Sequence, residues 1–506
     1  MKETIKFCIQ TISPIHIGCD DVYEPTGFAI DEEAQQMVVL DSLSFISQLE
    51  DSEKLEFSNI CAKGTIASIL EVYKFLRNRL VNGRAVDVCH GFLEHYKKTL
   101  DIPLNNEKTI RQELNRFEIP RTAFRSVDQR PYIPGSTIKG ALRTAYLNLM
   151  EREKKLSELG KERDSRKLEQ RLMEYDGIPT DPFRMVKVSD FKPVGEIRTR
   201  IIYAVNLKKI RSDRDARGVP LIFEVVPPGV LFEGTIAVYS PPQGSGIREH
   251  VTIEKLLKSA TQFYTKEKQR EDKELVNIGA NVISVNNQRD SFLVRVGRHS
   301  GAESVTVEGH RNIYIMGKRG EKGRYRDHST TLWLVSETRK PPSVNNLLPF
   351  GWVQLSCLTD ELSKKLQARE EKWWKKRKKH REESKIDFER HAELKRQAEE
   401  EADRLALEEK EMLKEEEKRK AKLEAMTPGQ RTLEELNDLS ISENRVIEIY
   451  NEIDGFSGES KRAIAQALKK YWEVHEKWKK AKGKKTKGVL KQMDRVCKIK
   501  AILGEE

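Results

Sequence analysis

From Glu389 to Glu424, 23 of 36 residues are charged, and no apolar residue recurs often enough to line one face of a helix. Such a stretch cannot bury the surface that a packed core requires, so whatever folds cooperatively must lie on either side of it. Glu stands four residues before Arg or Lys at 400/404, 415/419 and 416/420, each pair adding about 0.2–0.5 kcal/mol to an isolated helix. Residues 361–426 are therefore expected as a long, solvated, charged helical arm. A heptad placement puts Ala398, Leu405 and Met412 on one seam, but the other seam carries Lys395, Ala402, Glu409 and Glu416, which argues against a stable coiled coil. Thr427-Pro428-Gly429 ends the arm. Beyond it, Thr432 with Glu435 and Ser440 with Glu443 have capping-box spacing, and Ile464, Leu468, Trp472, His475 and Trp478 make an apolar stripe. Residues 427–506 read as a small helical module.

A formal charge of +12 suits a polyanionic partner, although charge speaks to association and not to fold. The six cysteines are scattered, with no CxxC and no His/Cys spacing that would hold zinc, so they read as reduced thiols. The amino-terminal segment alternates like a strand and has no signal-like apolar core, and no run of 18 apolar residues occurs. A soluble, cytoplasmic protein without metal or cofactor is expected.

Ile5, Phe7 and Ile9 alternate on one side of a first strand that breaks at Pro14 and Gly18, and Val38-Val39-Leu40 makes a second. Ile66, Ile69, Leu70, Tyr73, Leu76 and Leu80 recur at three and four, with Asn82-Gly83 as the stop, and a second helix is expected from about Val88 to Leu100. These form a helical insertion at about 60–118. A Pro-Gly turn in YIPGSTIKGALRTA bars helix before Gly135, after which Ser136 or Thr137 can cap a helix to about Met150. A charged, exposed continuation is expected through 151–172. Strands follow at 183–190, 197–207, 221–226 and 231–238, then a helix around 251–265, then strands near 291–297, 312–316 and 330–336. Strands alternating with single helices in two successive halves fit an α+β fold of two ferredoxin-like domains, residues 1–190 and 191–360.

The strongest chemical signal is the segment 132–145. A glycine turn that aims backbone N–H groups and Ser/Thr hydroxyls from a helix start, with Lys139 and Arg143 on one helical face behind it, suits a phosphate backbone. An ordinary turn and cap with solvated basic residues accounts for the same pattern.

YIPGSTIKGALRTA resembles the PGSS-x-KG-x-x-R element of the RAMP superfamily. SPIHIG at 13–18 is similar to its amino-terminal loop, VKVSDF at 186–191 to its strand-ending element, and FEVVPPGVLFEG at 223–234 to its E-x-ip-x-G-x-x-F hairpin. VRVGRHSG at 294–301, with Thr306 and Arg311, and PFGWVQL at 349–355 resemble elements of one branch, the fifth Csm subunits of type III-A CRISPR effectors. The resemblance covers about residues 1–357. It implies two ferredoxin-like halves and a non-catalytic, structural subunit that binds guide RNA (crRNA) toward its 3′ end, beside the backbone RAMP subunits of the effector. Lys139 and Arg143 would then pair with phosphates, Gly135, Ser136 and Thr137 would cradle one, and Arg298, Ser300 and Arg311 would extend the track. The loop Gly317–Gly323 is poorer in glycine than the corresponding RAMP loop, and the tail beyond 360 matches no element of the family.

Two rival readings stand beside this one. Related RAMP endoribonucleases use an amino-terminal-half histidine as general base, and His16 could act so, contact a phosphate, or merely pack. The charged tail could instead make the protein an interaction scaffold. Adjacent Asp20 and Asp21 point to opposite sides of an extended chain, so a metal pair is not expected. In KWWKKRKKHR at 372–381, the two tryptophans are expected to dock on the body while the lysines contribute nonspecific RNA contact. KKAKGKKTK at 479–487 reads as a flexible basic linker.

Overall fold

The computed structural model describes residues 2–77, 79, 83–210, 216, 218–285, 290–317, 320–438, 441–478 and 487–505. It divides into two compact units, Met1–Lys379 and His380–Glu506. Among the described residues no helix is long and apolar enough to cross a membrane.

The first unit is a mixed α/β body built on two sheets. The strand Lys2–Thr11 lies centrally in the first sheet, antiparallel to Leu231–Tyr239 on one side and to Trp352–Cys357 on the other. Ser291–Arg295 flanks the last of these, and Val186–Val188 and Lys192–Pro193 flank Leu231–Tyr239. Side chains of a strand alternate between faces. Phe7 and Ile9 therefore enter the core formed with Ile138, Leu142 and Tyr146 of the Gly135–Lys154 helix and with Leu256, Ala260 and Tyr264 of the Ile253–Ile278 helix. Cys8 points the other way and meets Val194 and Leu366.

The second sheet runs in the order Leu348–Pro349, Thr331–Ser336, Arg200–Lys208, Gly83–Val88, Gln36–Leu40, Phe28–Asp31, with Leu221–Val225 also on Arg200–Lys208. Gly83–Val88 and Arg200–Lys208 are parallel. The helices Ile66–Leu76, His90–Leu100 and Glu107–Leu114 share its apolar core.

Both sheets take strands from either side of residue 190, so a division there does not separate them. Alternation marks which residues are strand but not which strands are neighbours. The segment 60–118 is not helical throughout, because Val86 and Val88 are buried with Asp87 between them in a strand. Leu80 and Asn82 lie outside the described residues. Nor is 151–172 a solvated continuation: after Lys154 the chain turns at left-handed Lys155 into Ser165–Met173, which buries Leu168, Leu172 and Met173.

The helix Asp360–Ala425 belongs to the first unit up to Lys379. Leu366 is buried there, Glu370 pairs with Arg130 at 2.6 Å and accepts from Gly195 N–H at 2.7 Å, and Arg377 donates to the Asp128 carbonyl. The arm thus does not begin at residue 361. In the second unit Leu405 and Met412 are exposed. Pro428–Asn437, Glu443–Glu452, Gly458–Val474 and Lys487–Leu503 enclose a core of Leu436, Ile449, Ile464, Leu468, Trp472 and Ile499. The caps differ from those expected. Thr427 with Gln430 starts the first of these helices and Ser442 the second, whereas Thr432 donates to Pro428 inside a helix. Ser440 and residues 479–486 of the basic run lie outside the described residues. His475 is exposed at the helix end and leaves the apolar stripe.

Candidate nucleic-acid interface

The quoted segments gather into two clusters. In the first, the start of the Gly135–Lys154 helix abuts the end of the Val186–Val188 strand so closely that a Cβ at Gly135 would lie 2.3 Å from the Val188 carbonyl. Ile133 bridges Phe191, and the Asp190 carboxylate accepts from Gly135 N–H at 2.8 Å. The helix start is therefore already capped by an anion. Thr137 N–H is also occupied, by the Pro134 carbonyl, which leaves the exposed Ser136 as the open part of the turn. Of the three residues expected to cradle a phosphate, Gly135 and Thr137 thus have their N–H groups already occupied.

Lys139 is half-buried and makes no ion pair among the described residues. Its pKa is lowered by burial first and then by the charge of Lys187. Two like charges thus converge beside Ser136. Lys187 was missed in the sequence, although its place between Val186 and the inward Val188 sets it on the outer face of the strand. Arg143, expected to pair with a phosphate, is half-buried. It pairs with Glu169 at 2.6 Å and Asp181 at 2.9 Å, and it donates to Tyr175. With its charge neutralised, Arg143 is a structural residue.

The second cluster is built on the loop SPIHIG. Pro14 O accepts from Gly351 N–H, Ser13 Oγ from Trp352 N–H, Ile15 bridges Val226, and His16 O accepts from Arg298 N–H at 2.8 Å. Gly297, at φ +81°, lets the chain pass: a Cβ would stand 2.4 Å from His16 O. Arg298 is exposed at this crossing. Ser300 is buried and donates to the Gly297 carbonyl, so it shapes the turn rather than facing solvent. Arg311 is held by Glu267 at 2.6 Å and by the Glu303 carbonyl, and it too leaves the proposed track.

His16 is fully buried. Its Nδ1–H donates to the Glu224 carbonyl at 2.7 Å, and its Nε2 has no partner. Burial first, and then Arg298, lower its pKa. The Glu224 carboxylate, also buried, accepts from Thr122 N–H, Thr199 and Arg84, which locks the crossing from beneath. A general base must reach the proton it removes. His16, enclosed on all sides, presents neither ring nitrogen at the surface.

Asp21 pairs with Arg121 at 2.8 Å, and no group of His, Cys, Asp and Glu suited to a metal occurs among the described residues. Trp373 lies 3.5 Å from the Arg130 guanidinium, docked on the body, while Trp374 is partly exposed. Lys318 and Arg319 of the glycine loop lie outside the described residues.

A family model for the RAMP superfamily matches residues 8–298. The Methanocaldococcus jannaschii protein named CRISPR system Cms protein Csm5 is 30% identical over 205 residues, 37% of this chain and 42% of that protein. A Streptococcus thermophilus protein of the same name is 26% identical over 278 residues, 52% of this chain and 70% of that protein. The aligned region thus spans less than half of the first relative. Among solved structures, a chain of a type III-A Csm–crRNA–target RNA ternary complex has a TM-score of 0.45 at 18% identity, over 70% of this chain and 100% of that one. Csm5 of T. onnurineus gives 0.42 at 18% identity, over 68% and 99%.

Proposed function

Since this chain belongs to the RAMP superfamily, we propose that it is a non-catalytic crRNA-binding subunit of a type III-A CRISPR effector, seated toward the 3′ end of the guide RNA in antiviral defence. Two relatives named Csm5 support the assignment to a Csm complex. The observation that carries the RNA reading is the open cationic face of Ser136, Lys139 and Lys187, joined by Arg298 at the second cluster. Single-stranded RNA presents a regular row of phosphates, and Lys139, Lys187 and Arg298, which form no salt bridge among the described residues, are cations that such a row can recruit. Its partners would be crRNA and the neighbouring backbone RAMP subunits, and its place the cytoplasm.

The burial of His16 supports a structural role over the endoribonuclease reading. We also read the first sheet as one ferredoxin-like domain, because Lys2–Thr11, the Gly135–Lys154 helix, Val186–Val188, Leu231–Tyr239, the Ile253–Ile278 helix and Trp352–Cys357 follow as strand, helix, strand, strand, helix, strand, with Lys192–Pro193 and Ser291–Arg295 as additional strands. The second sheet would be its divergent counterpart. The separate apolar core of the second unit favours an added scaffolding role for residues 427–506.

Purification of the full chain with its bound nucleic acid, followed by RNA sequencing, tests the reading: guide RNA with its 3′ portion protected is expected. Incubation of repeat RNA with the protein in EDTA should yield no 2′,3′-cyclic phosphate. A cyclic product that disappears in His16→Ala would establish the endoribonuclease in its place.

A further inference from the structure

We propose that a polar cleft next to residues 160–163 is a second contact for single-stranded RNA, in which Lys161, Arg163 and Arg326 take phosphates and Tyr325 stacks on a base. The inference rests on the RNA-binding reading above, but on different residues. The cleft encloses about 500 Å³.

Lys161 and Arg163 are exposed and Arg326 is half-buried, and none of the three forms a salt bridge to another described residue. The one carboxylate among the described lining residues is Asp327, which accepts from the neighbouring His328 at 2.7 Å. Arg311 forms part of the wall, but Glu267 already neutralises it. The cleft therefore carries excess positive charge with room for an anion.

The backbone that carries Lys161 and Arg163 is also held in place. His310 Nδ1 accepts from Glu162 N–H at 3.0 Å, so its Nε2 carries the proton and faces Glu151 at 3.2 Å. One ring nitrogen of this buried histidine holds the backbone of the 160–163 loop between its two cations, and the other anchors the ring to the Gly135–Lys154 helix. A loop already fastened loses little backbone freedom when a ligand binds.

The neighbouring hairpin pairs Ile313–Ile315 with Arg324–Arg326 and sets Tyr314 opposite Tyr325. The rings are 5.2 Å apart, and their side chains remain more than half exposed to solvent. Two exposed aromatics flanked by arginines offer a base a stacking surface, which a strand with unpaired bases can use and a duplex cannot.

The test is fluorescence anisotropy of the full chain with a labelled single-stranded RNA across a salt series. Substituting Lys161→Ala, Arg163→Ala and Arg326→Ala together is expected to flatten the slope of log K against log salt by about 2, at about 0.7 per lost phosphate contact. Tyr325→Ala should weaken binding about tenfold with the slope unchanged. Wild-type affinity and slope in the triple variant would overturn the cleft while leaving the RNA-binding reading intact. Absence of RNA binding by the wild-type chain would refute that reading and the cleft with it. Efficient competition by a mononucleotide would overturn the strand contact in favour of a nucleotide pocket.

Discussion

Arg143 and Lys139 lie one helical turn apart, yet only Lys139 is open to a polyanion. Glu169 and Asp181 close on Arg143, whereas the charged neighbour of Lys139 that matters most is another lysine. The same contrast recurs between the interior and the surface of the body. Inside, Arg295 pairs with Glu271 at 2.6 Å with both side chains about 1% exposed, and Lys209 pairs with Glu303 and Glu274. Outside, Lys161, Arg163, Lys187 and Arg298 make no such pairs with described residues. Basic residues that look equivalent along the chain are thus divided by the position of acids into those that hold the fold and those that can hold a phosphate.

Breaking an interior pair should have the largest effect. Glu271→Ala strands the Arg295 guanidinium and also the Trp352 indole N–H, which donates to the same carboxylate at 2.6 Å. A loss of about 3–5 kcal/mol is expected, read as a lower denaturant midpoint with unchanged slope. A loss below about 1 kcal/mol would mean that the pair is not a fold-holding one.

Arg130 is a further neutralised cation, and its partner Glu370 comes from the long helix. A chain ending at Lys379 should keep the stability of the body. One ending at Thr359 uncovers Cys8 and Val194 by removing Leu366, and it should lose at least about 2–3 kcal/mol in thermal or denaturant unfolding. Equal stability of the two would place the end of the body before the helix.

Glu303 offers a pH test of the same idea. Burial alone would raise its pKa, but Lys209, Arg270 and the Ser329 N–H outweigh burial and bring it down to about 2. A carboxyl depressed below its ordinary value of 4.5 stabilises the fold fully above that pH, and the stabilisation is lost as pH falls from about 4.5 to about 2. The contribution is up to about 3 kcal/mol. Glu303→Gln should flatten stability against pH in that window, measured by urea unfolding; an unaltered slope would assign the acid sensitivity elsewhere.

The smallest effects separate the two residues of the helix. Arg143→Gln should cost about 1–3 kcal/mol of stability and leave the salt slope of RNA binding unchanged. Lys139→Gln should leave stability within about 0.5 kcal/mol and flatten that slope by about 0.7. The reverse pattern would invert the assignment of the two residues.

The turn into the Gly135–Lys154 helix was legible because Pro134 bars helix before Gly135, but the expected cap by Ser136 or Thr137 is not made: both lie inside the helix, and Asp190 accepts from the Gly135 N–H instead. The apolar stripe of Ile464, Leu468 and Trp472 was legible for a similar reason, and failed at His475 only because the helix stops at Val474. What could not be read was distance along the chain. Glu169 and Asp181 lie 26 and 38 residues from Arg143, and Asp190 lies 55 from Gly135. No periodicity links a cation to acids so far away. Strand order was hidden in the same way, and the buried state of His16 follows from a crossing with residues 297–298 that no local pattern announces. Short stretches such as 83–88, where helical spacing runs into alternation, are decided by the sheet they join.

The central position of Lys2–Thr11 also bears on how the molecule is made. Its partner strand Trp352–Cys357 emerges from the ribosome about 340 residues later, as the 339-residue separation of Ser13 and Trp352 shows. At 5–20 residues per second, that is a wait of roughly 17–70 s during which one edge of an apolar strand stands open. The first sheet can therefore close only late in synthesis, and the nascent chain, far more than the finished protein, is the form that needs shielding from aggregation.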